Sequence, residues 1–95
     1  MNEKEIPTEY YVDEVNIKDI PKGKYGKLWY ATGKSYLDFG QASGIEFYSL
    51  DNKNNSKVYY RIMEGMNILS ENNFELVSFH EATRYYGPCA ILRKS

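Results

Sequence analysis

The sequence predicts an α+β domain in which one helix packs on one face of an antiparallel sheet of about five or six strands, in the order β-β-β-β-α-β-β. Three observations carry this. Short aromatic and β-branched runs recur between clusters of turn residues, as strands do. Ten Tyr, four Phe and one Trp make aromatics 16% of the 95 residues, with only three Pro, a mix that favours strands. A single stretch, residues 61–72, repeats its apolar side chains with the helical period.

The elements follow in chain order. Residues 1–20 read as an acidic, partly ordered N-terminal arm and 21–95 as a single domain, the one core that this length supports. Residues 1–9 have almost nothing to bury and are expected to fray. Tyr10, Tyr11, Val12, Val15, Ile17 and Ile20 can lay either a strand or a short helix onto the domain. Pro21, Gly23 and Gly26 mark a loop that punctuates the arm from the domain. Residues 27–32 and 35–40, split by Thr32-Gly33-Lys34, predict a hairpin. After a break at Ala42–Gly44, residues 45–50 alternate in character. The turn-rich Asp51-Asn52-Lys53-Asn54-Asn55-Ser56 leads to 57–60, a second hairpin whose Asn and Asp tolerate left-handed backbone.

In the helix, Ile62, Gly65, Met66 and Leu69 share one side with Met63 at its edge, and Glu64, Asn67 and Glu71 lie opposite. Gly65 costs about 1 kcal/mol of helix propensity relative to Ala, so its use is close approach to the sheet. Asn72-Asn73 suits a left-handed stop, and residues 74–80 and 89–93 supply the last strands around a Gly87-Pro88 break. The expected core is Ile62, Met66, Leu69, Phe74, Leu76, Val77, Ile91 and Leu92.

The segment Ile62-Met63-Glu64-Gly65-Met66-Asn67-Ile68-Leu69-Ser70-Glu71-Asn72-Asn73-Phe74-Glu75-Leu76-Val77-Ser78 resembles small bacterial domains of unknown function. Their mark is a short amphipathic helix ending in Gly-Trp-Glu-Leu-Val-Ser and running into a strand. Asn73 and Phe74 stand here where that pattern has Gly and Trp. Leu37-Asp38-Phe39-Gly40-Gln41 is similar to a Val-Asp-Phe-Gly-Gln strand in short proteins of gut anaerobes with the same helix-strand ending. Together these cover residues 36–93. The resemblance implies the fold and a bacterial source, and brings no activity, cofactor or site residue with it.

Composition narrows the function classes. Twelve basic and thirteen acidic side chains leave a net charge of −1, which denies the chain the global pull used in non-specific binding to nucleic acid or anionic membranes. The single cysteine, Cys89, has no intramolecular partner, and the start holds no apolar run of signal-peptide or membrane-helix length. A cytoplasmic protein with no membrane partner is the expectation. Asp38-Phe39-Gly40 spells the kinase metal-binding triplet without the rest of a kinase, and Pro21-Lys22-Gly23-Lys24-Tyr25-Gly26 lacks the phosphate-cradle spacing.

Three function classes stay in view. A small enzyme would use His80 and Cys89, because an imidazole beside a thiol favours the reactive thiolate. Cys89, however, follows Pro88 at the start of an apolar strand and reads as a small hydrophobe. No four-ligand metal spacing is present. We therefore expect no catalytic residue, metal or cofactor. A nucleic-acid accessory protein would use the Lys22–Lys34 basic and aromatic segment, with Lys22, Lys24, Lys27 and Trp29 as its contacts. The same pattern also describes a core strand flanked by solubilising lysines, or a basic patch under the acidic arm. The reading preferred from sequence is a non-enzymatic protein-interaction or self-assembly module. Its partner is another protein or a second copy, a homodimer, held by a tyrosine-rich sheet face or an edge strand. Tyr30, Tyr36, Tyr48 and Tyr85 would line that face.

Overall fold

The structure, a computed structural model, describes residues 8–41 and 44–95. They form β1 (Tyr10–Val12), β2 (Val15–Asn16), a 3-10 turn (Ile17–Asp19), β3 (Tyr25–Ala31), β4 (Lys34–Asp38), β5 (Glu46–Leu50), β6 (Lys57–Val58), α1 (Ile62–Glu71), β7 (Phe74–His80) and β8 (Cys89–Lys94). Local chemistry sets the turns. Thr32 and Gly33, at φ 51° and 80°, make the two-residue left-handed connection that suits the twist of the β3–β4 hairpin. Asp13, at φ 55°, turns β1 into β2. The Asn16 side chain then accepts the Lys18 N–H at 2.9 Å and starts the 3-10 turn.

Every pairing is antiparallel, and the strands run β2-β1-β5-β4-β3-β8-β7, with β6 also on β5. Phe47 of β5 lies between Val12 of β1 and Ser35 of β4, and Ser49 lies between Tyr10 of β1 and Val58 of β6, so β4 and β6 share one edge of β5. Alternation along the strands sends Val12, Leu28, Leu37, Phe47, Ala90 and Leu92 to the helix side, all buried. The helix contributes Ile68 and Leu69 to the same cluster. Gly65 sits against Leu28: a Cβ there would lie 3.0 Å from Leu28 Cδ2. Asn72 closes the helix by donating from its side chain to the Ile68 carbonyl at 2.8 Å, and Asn73 adopts φ 70°.

The sheet has eight strands where five or six were expected. The difference lies in the arm, where residues 10–20 form both expected kinds of element, two short strands paired as a hairpin and then a short 3-10 helix. Its Val12, Ile17 and Ile20 are 0%, 1% and 2% exposed, so the segment before Pro21 is part of the core. Residues 1–7, and Ala42 and Ser43 of the expected break, lie outside the described residues. The loop after the arm is shorter than the Pro and Gly spacing suggests, because Tyr25 and Gly26 already pair with Arg93 and Leu92.

A second difference concerns the core. Leu69, Phe74 and Leu92 are buried as expected, but Leu76 and Val77 are 51% and 52% exposed. Ile91 points to the face away from the helix and is half-buried. β7 is the last strand of the sheet, and a bulge between Leu76 and Ser78 breaks its alternation, so only Phe74 reaches beneath the helix.

At the other end of β8, Lys94 is 8% exposed and donates from Nζ to the Ile17 carbonyl at 3.0 Å, 5.1 Å from the centre of the Phe74 ring. Burial lowers its pKa.

Leu69→Ala is expected to cost about 2–5 kcal/mol, whereas Leu76→Ala, from the uncovered edge, is expected to cost less than about 1 kcal/mol. Urea unfolding of the two variants beside the parent measures both.

Candidate functional site

The face of the sheet opposite the helix is built in rows. Register places His80, Cys89, Trp29, Tyr36 and Glu46 side by side across β7, β8, β3, β4 and β5. Trp29 and Tyr36 stack with centroids 5.3 Å apart and an interplanar angle of 21°, and the Lys27 ammonium sits 5.6 Å over the indole. Farther along, Tyr11 stacks on Tyr48 at 5.8 Å, Lys57 lies 4.7 Å over the Tyr48 ring, and the Tyr48 hydroxyl donates to the Asp13 carbonyl.

Glu46 is the hub of this half. Its carboxylate accepts from Tyr59 at 2.7 Å, from Lys57 at 3.1 Å and from Lys34 at 3.2 Å. The Tyr59 and Lys57 bonds, with Lys34 behind them, hold the Glu46 pKa down at about 2. Burial, reinforced by the Glu46 charge, pushes Tyr59 up to about 12. The charges of this half satisfy one another.

The four tyrosines singled out from sequence do not share one surface. Trp29 faces Tyr36, and Tyr30 faces Ser35, so Tyr30 lies on the helix side with the Arg61 guanidinium 5.2 Å over its ring. Tyr36 is half-buried in its stack, and Tyr48 is only 8% exposed beneath Lys57 and Tyr11. Tyr85 is 80% exposed, in the loop between β7 and β8.

The basic set is also divided. Lys22 and Lys24 occupy the turn before β3, while Trp29 lies five positions beyond Lys24, about 17 Å away at strand rise. Lys27 lies between them on the open face, and Lys34 is paired with Glu46. The described part of the acidic arm does not cover this patch. It pairs with β5, two strands from β3, and its Glu9 binds its own Lys18 at 3.4 Å.

His80 and Cys89 do come together: the register sets them directly opposite. The His80 ring shares a hydrogen bond with Ser78 Oγ at 3.2 Å, and Cys89 is half-buried. Among the described residues no group of three or more His, Cys, Asp or Glu side chains could hold a metal ion.

The exposed apolar surface lies elsewhere, on Leu76, Val77 and Phe79 of β7 and on Tyr85 and Tyr86 of the following loop, with Met63 of the helix also 65% exposed. Sequence reasoning placed Leu76 and Val77 in the core and passed over Phe79 and Tyr86. The signal that could have found them is the adjacent pair Leu76-Val77, which breaks strict alternation and so marks a bulge. Set against protein-family models, curated proteins and solved structures, the chain matches none. The site therefore rests on its own geometry.

Tyr59→Phe is expected to raise the Glu46 pKa from about 2 toward 4.5, read as a shift of its carboxyl titration by NMR. Because the folded pKa is depressed, the stabilising contribution of Glu46 is fully present above pH 4.5 and is lost as pH falls toward 2. The variant is expected to lose less stability over that interval than the parent, measured by denaturant titration at its two ends.

Proposed function

We propose that this domain is a non-enzymatic protein-interaction module whose contact surface is the edge strand β7 together with the loop that follows it. One observation carries the reading. Among the described residues β7 is seven residues long, pairs on one side only, and leaves Leu76, Val77 and Phe79 between 41% and 52% exposed, whereas β2 at the other end of the sheet has two residues. An unpaired backbone edge flanked by exposed apolar side chains is a template for another chain. The bulge at Val77 interrupts the ladder and favours a finite contact over open-ended sheet growth. The partner is a second copy of this chain, placed by a twofold axis that sets the two β7 edges antiparallel, or a different protein that uses the same edge. In this reading His80 and Cys89 are surface and strand residues, no cofactor is required, and the protein works in the cytoplasm. Among the described residues no helix is long and apolar enough to cross a membrane. Single-stranded nucleic acid has less support, because of the lysines around β3 only Lys27 lies at Trp29, while Lys22 and Lys24 precede the strand and Lys34 is held by Glu46.

The double variant Leu76→Lys with Phe79→Lys changes only exposed positions. It is expected to weaken self-association at least about tenfold in sedimentation equilibrium, the size of effect given by charges placed in an apolar contact. A parent that stays monomeric at every concentration refutes the second-copy form. A parent that associates as strongly as the variant refutes the edge.

A further inference from the structure

Beyond the edge strand, two hollows adjoin each other where β3 and α1 meet the β7–β8 loop. The first, about 320 Å³, is lined by Lys27, Trp29, Tyr85, Tyr86 and the pair Tyr30 and Pro88. The second, about 450 Å³, is lined by Arg61, Ile62, Met63 and Glu64 and by the same Tyr30 and Pro88, which the two share. Tyr85 and Tyr86 are 80% and 78% exposed. Among the described residues the tyrosine hydroxyls bonded to protein groups are those of Tyr48, Tyr59 and Tyr60, which leaves Tyr30, Tyr85 and Tyr86 free to donate. Two cations border the hollows, Lys27 over Trp29 at 5.6 Å and Arg61 over Tyr30 at 5.2 Å. Neither is in an ion pair among the described residues.

We propose that these hollows form a binding site for an extended, proline-rich segment of a partner protein that carries carboxylate side chains. The first hollow, walled by Trp29, Tyr30, Tyr85 and Tyr86, and the mainly apolar second that adjoins it through Tyr30 fit the polyproline II helix, whose rings pack on aromatic faces. That helix has no internal hydrogen bonds, so its carbonyls are open to the free tyrosine hydroxyls. The unpaired Lys27 and Arg61 select acidic residues beside the prolines, and the single carboxylate of the second hollow, Glu64, offsets only part of that charge. A base-stacking strand of nucleic acid needs a run of cations that tracks its phosphates, and beyond Lys27 the next lysines are Lys34, held by Glu46, and Lys22 and Lys24, before the far end of β3. This proposal rests on the protein-interaction reading but not on the β7 edge.

Trp29 is the only tryptophan in the chain and lines the first hollow, so its emission reports occupancy directly. The probe is a short blocked peptide that repeats Pro-Pro-Glu. A saturable change in Trp29 emission is expected, weakened at least about tenfold by Tyr86→Ala and by Lys27→Glu, both at exposed positions, and with Lys27→Glu partly restored when the peptide's Glu is replaced by Lys. Circular-dichroism melts that coincide with the parent show that these variants fold; if one does not, Tyr85→Ala takes its place. The absence of a saturable response, or an equal response to a peptide with every Pro replaced by Ala, overturns the site. A response to oligothymidylate in place of the peptide overturns it in favour of base stacking. If the peptide fails while the Leu76→Lys with Phe79→Lys variant still loses association, the edge-strand reading stands and only this site falls.

Discussion

The seat of the helix on Leu28 governs the rest of the architecture. Gly65 has no Cβ to hold α1 away from β3, and Leu28 fills that space. A helix of ten residues reaches only about 15 Å. Seven strands side by side span about 29 Å from the first axis to the last at sheet spacing. One short helix, packed against β3, β8 and the start of β7, cannot cover that width. The β1–β5 end is closed by the arm, with Ile17 and Ile20 buried under its own turn. Among the described residues no such cover reaches β7 beyond Phe74, and Leu76, Val77 and Phe79 are exposed.

The two faces and the two ends of the sheet divide the labour accordingly. On the face away from the helix, the aromatic rings are taken up by one another, and Glu46 neutralises two lysines while anchoring Tyr59. The Glu46 end of that face is self-satisfied. The edge at β7 and the loop beyond it hold the groups without internal partners, where large apolar surface and free donors coincide. An exposed patch of this kind on a small domain is the usual mark of an interaction surface.

Much of this was legible in the sequence, and the part that was not has a common cause. The helix, its Gly65 contact and its Asn stop were readable because they depend on neighbours three or four residues away. The β3–β4 hairpin was readable from Thr32-Gly33, and β7 from its bounds at Phe74 and His80. The pairing of β1 with β5 was not, since nothing near Tyr10 or Val12 encodes which distant strand they will meet. The same limit split the tyrosines. Tyr30 and Tyr36 look alike in the sequence, and only the register, Trp29 against Tyr36, tells which of them faces the helix. Leu76 and Val77 looked like core because hydrophobicity does not say whether a strand is central or terminal. That depends on β8, which arrives later and takes the place between β3 and β7.

The position of β8 has a consequence for synthesis. It lies between β3 and β7, and its Lys94 bonds to Ile17 across 77 residues of chain. Until residue 94 has left the ribosome, the sheet exists only as two pieces with an open seam between them, β3 with the strands on its far side and β7 beside its helix. Loop closure over such a distance is slow and comes late. The nascent polypeptide therefore carries the unpaired edge of β3 through the emergence of every strand up to β8, joined by that of β7 once residue 80 is out, a window in which chaperone capture competes with aggregation and which shuts only when β8 zips into place.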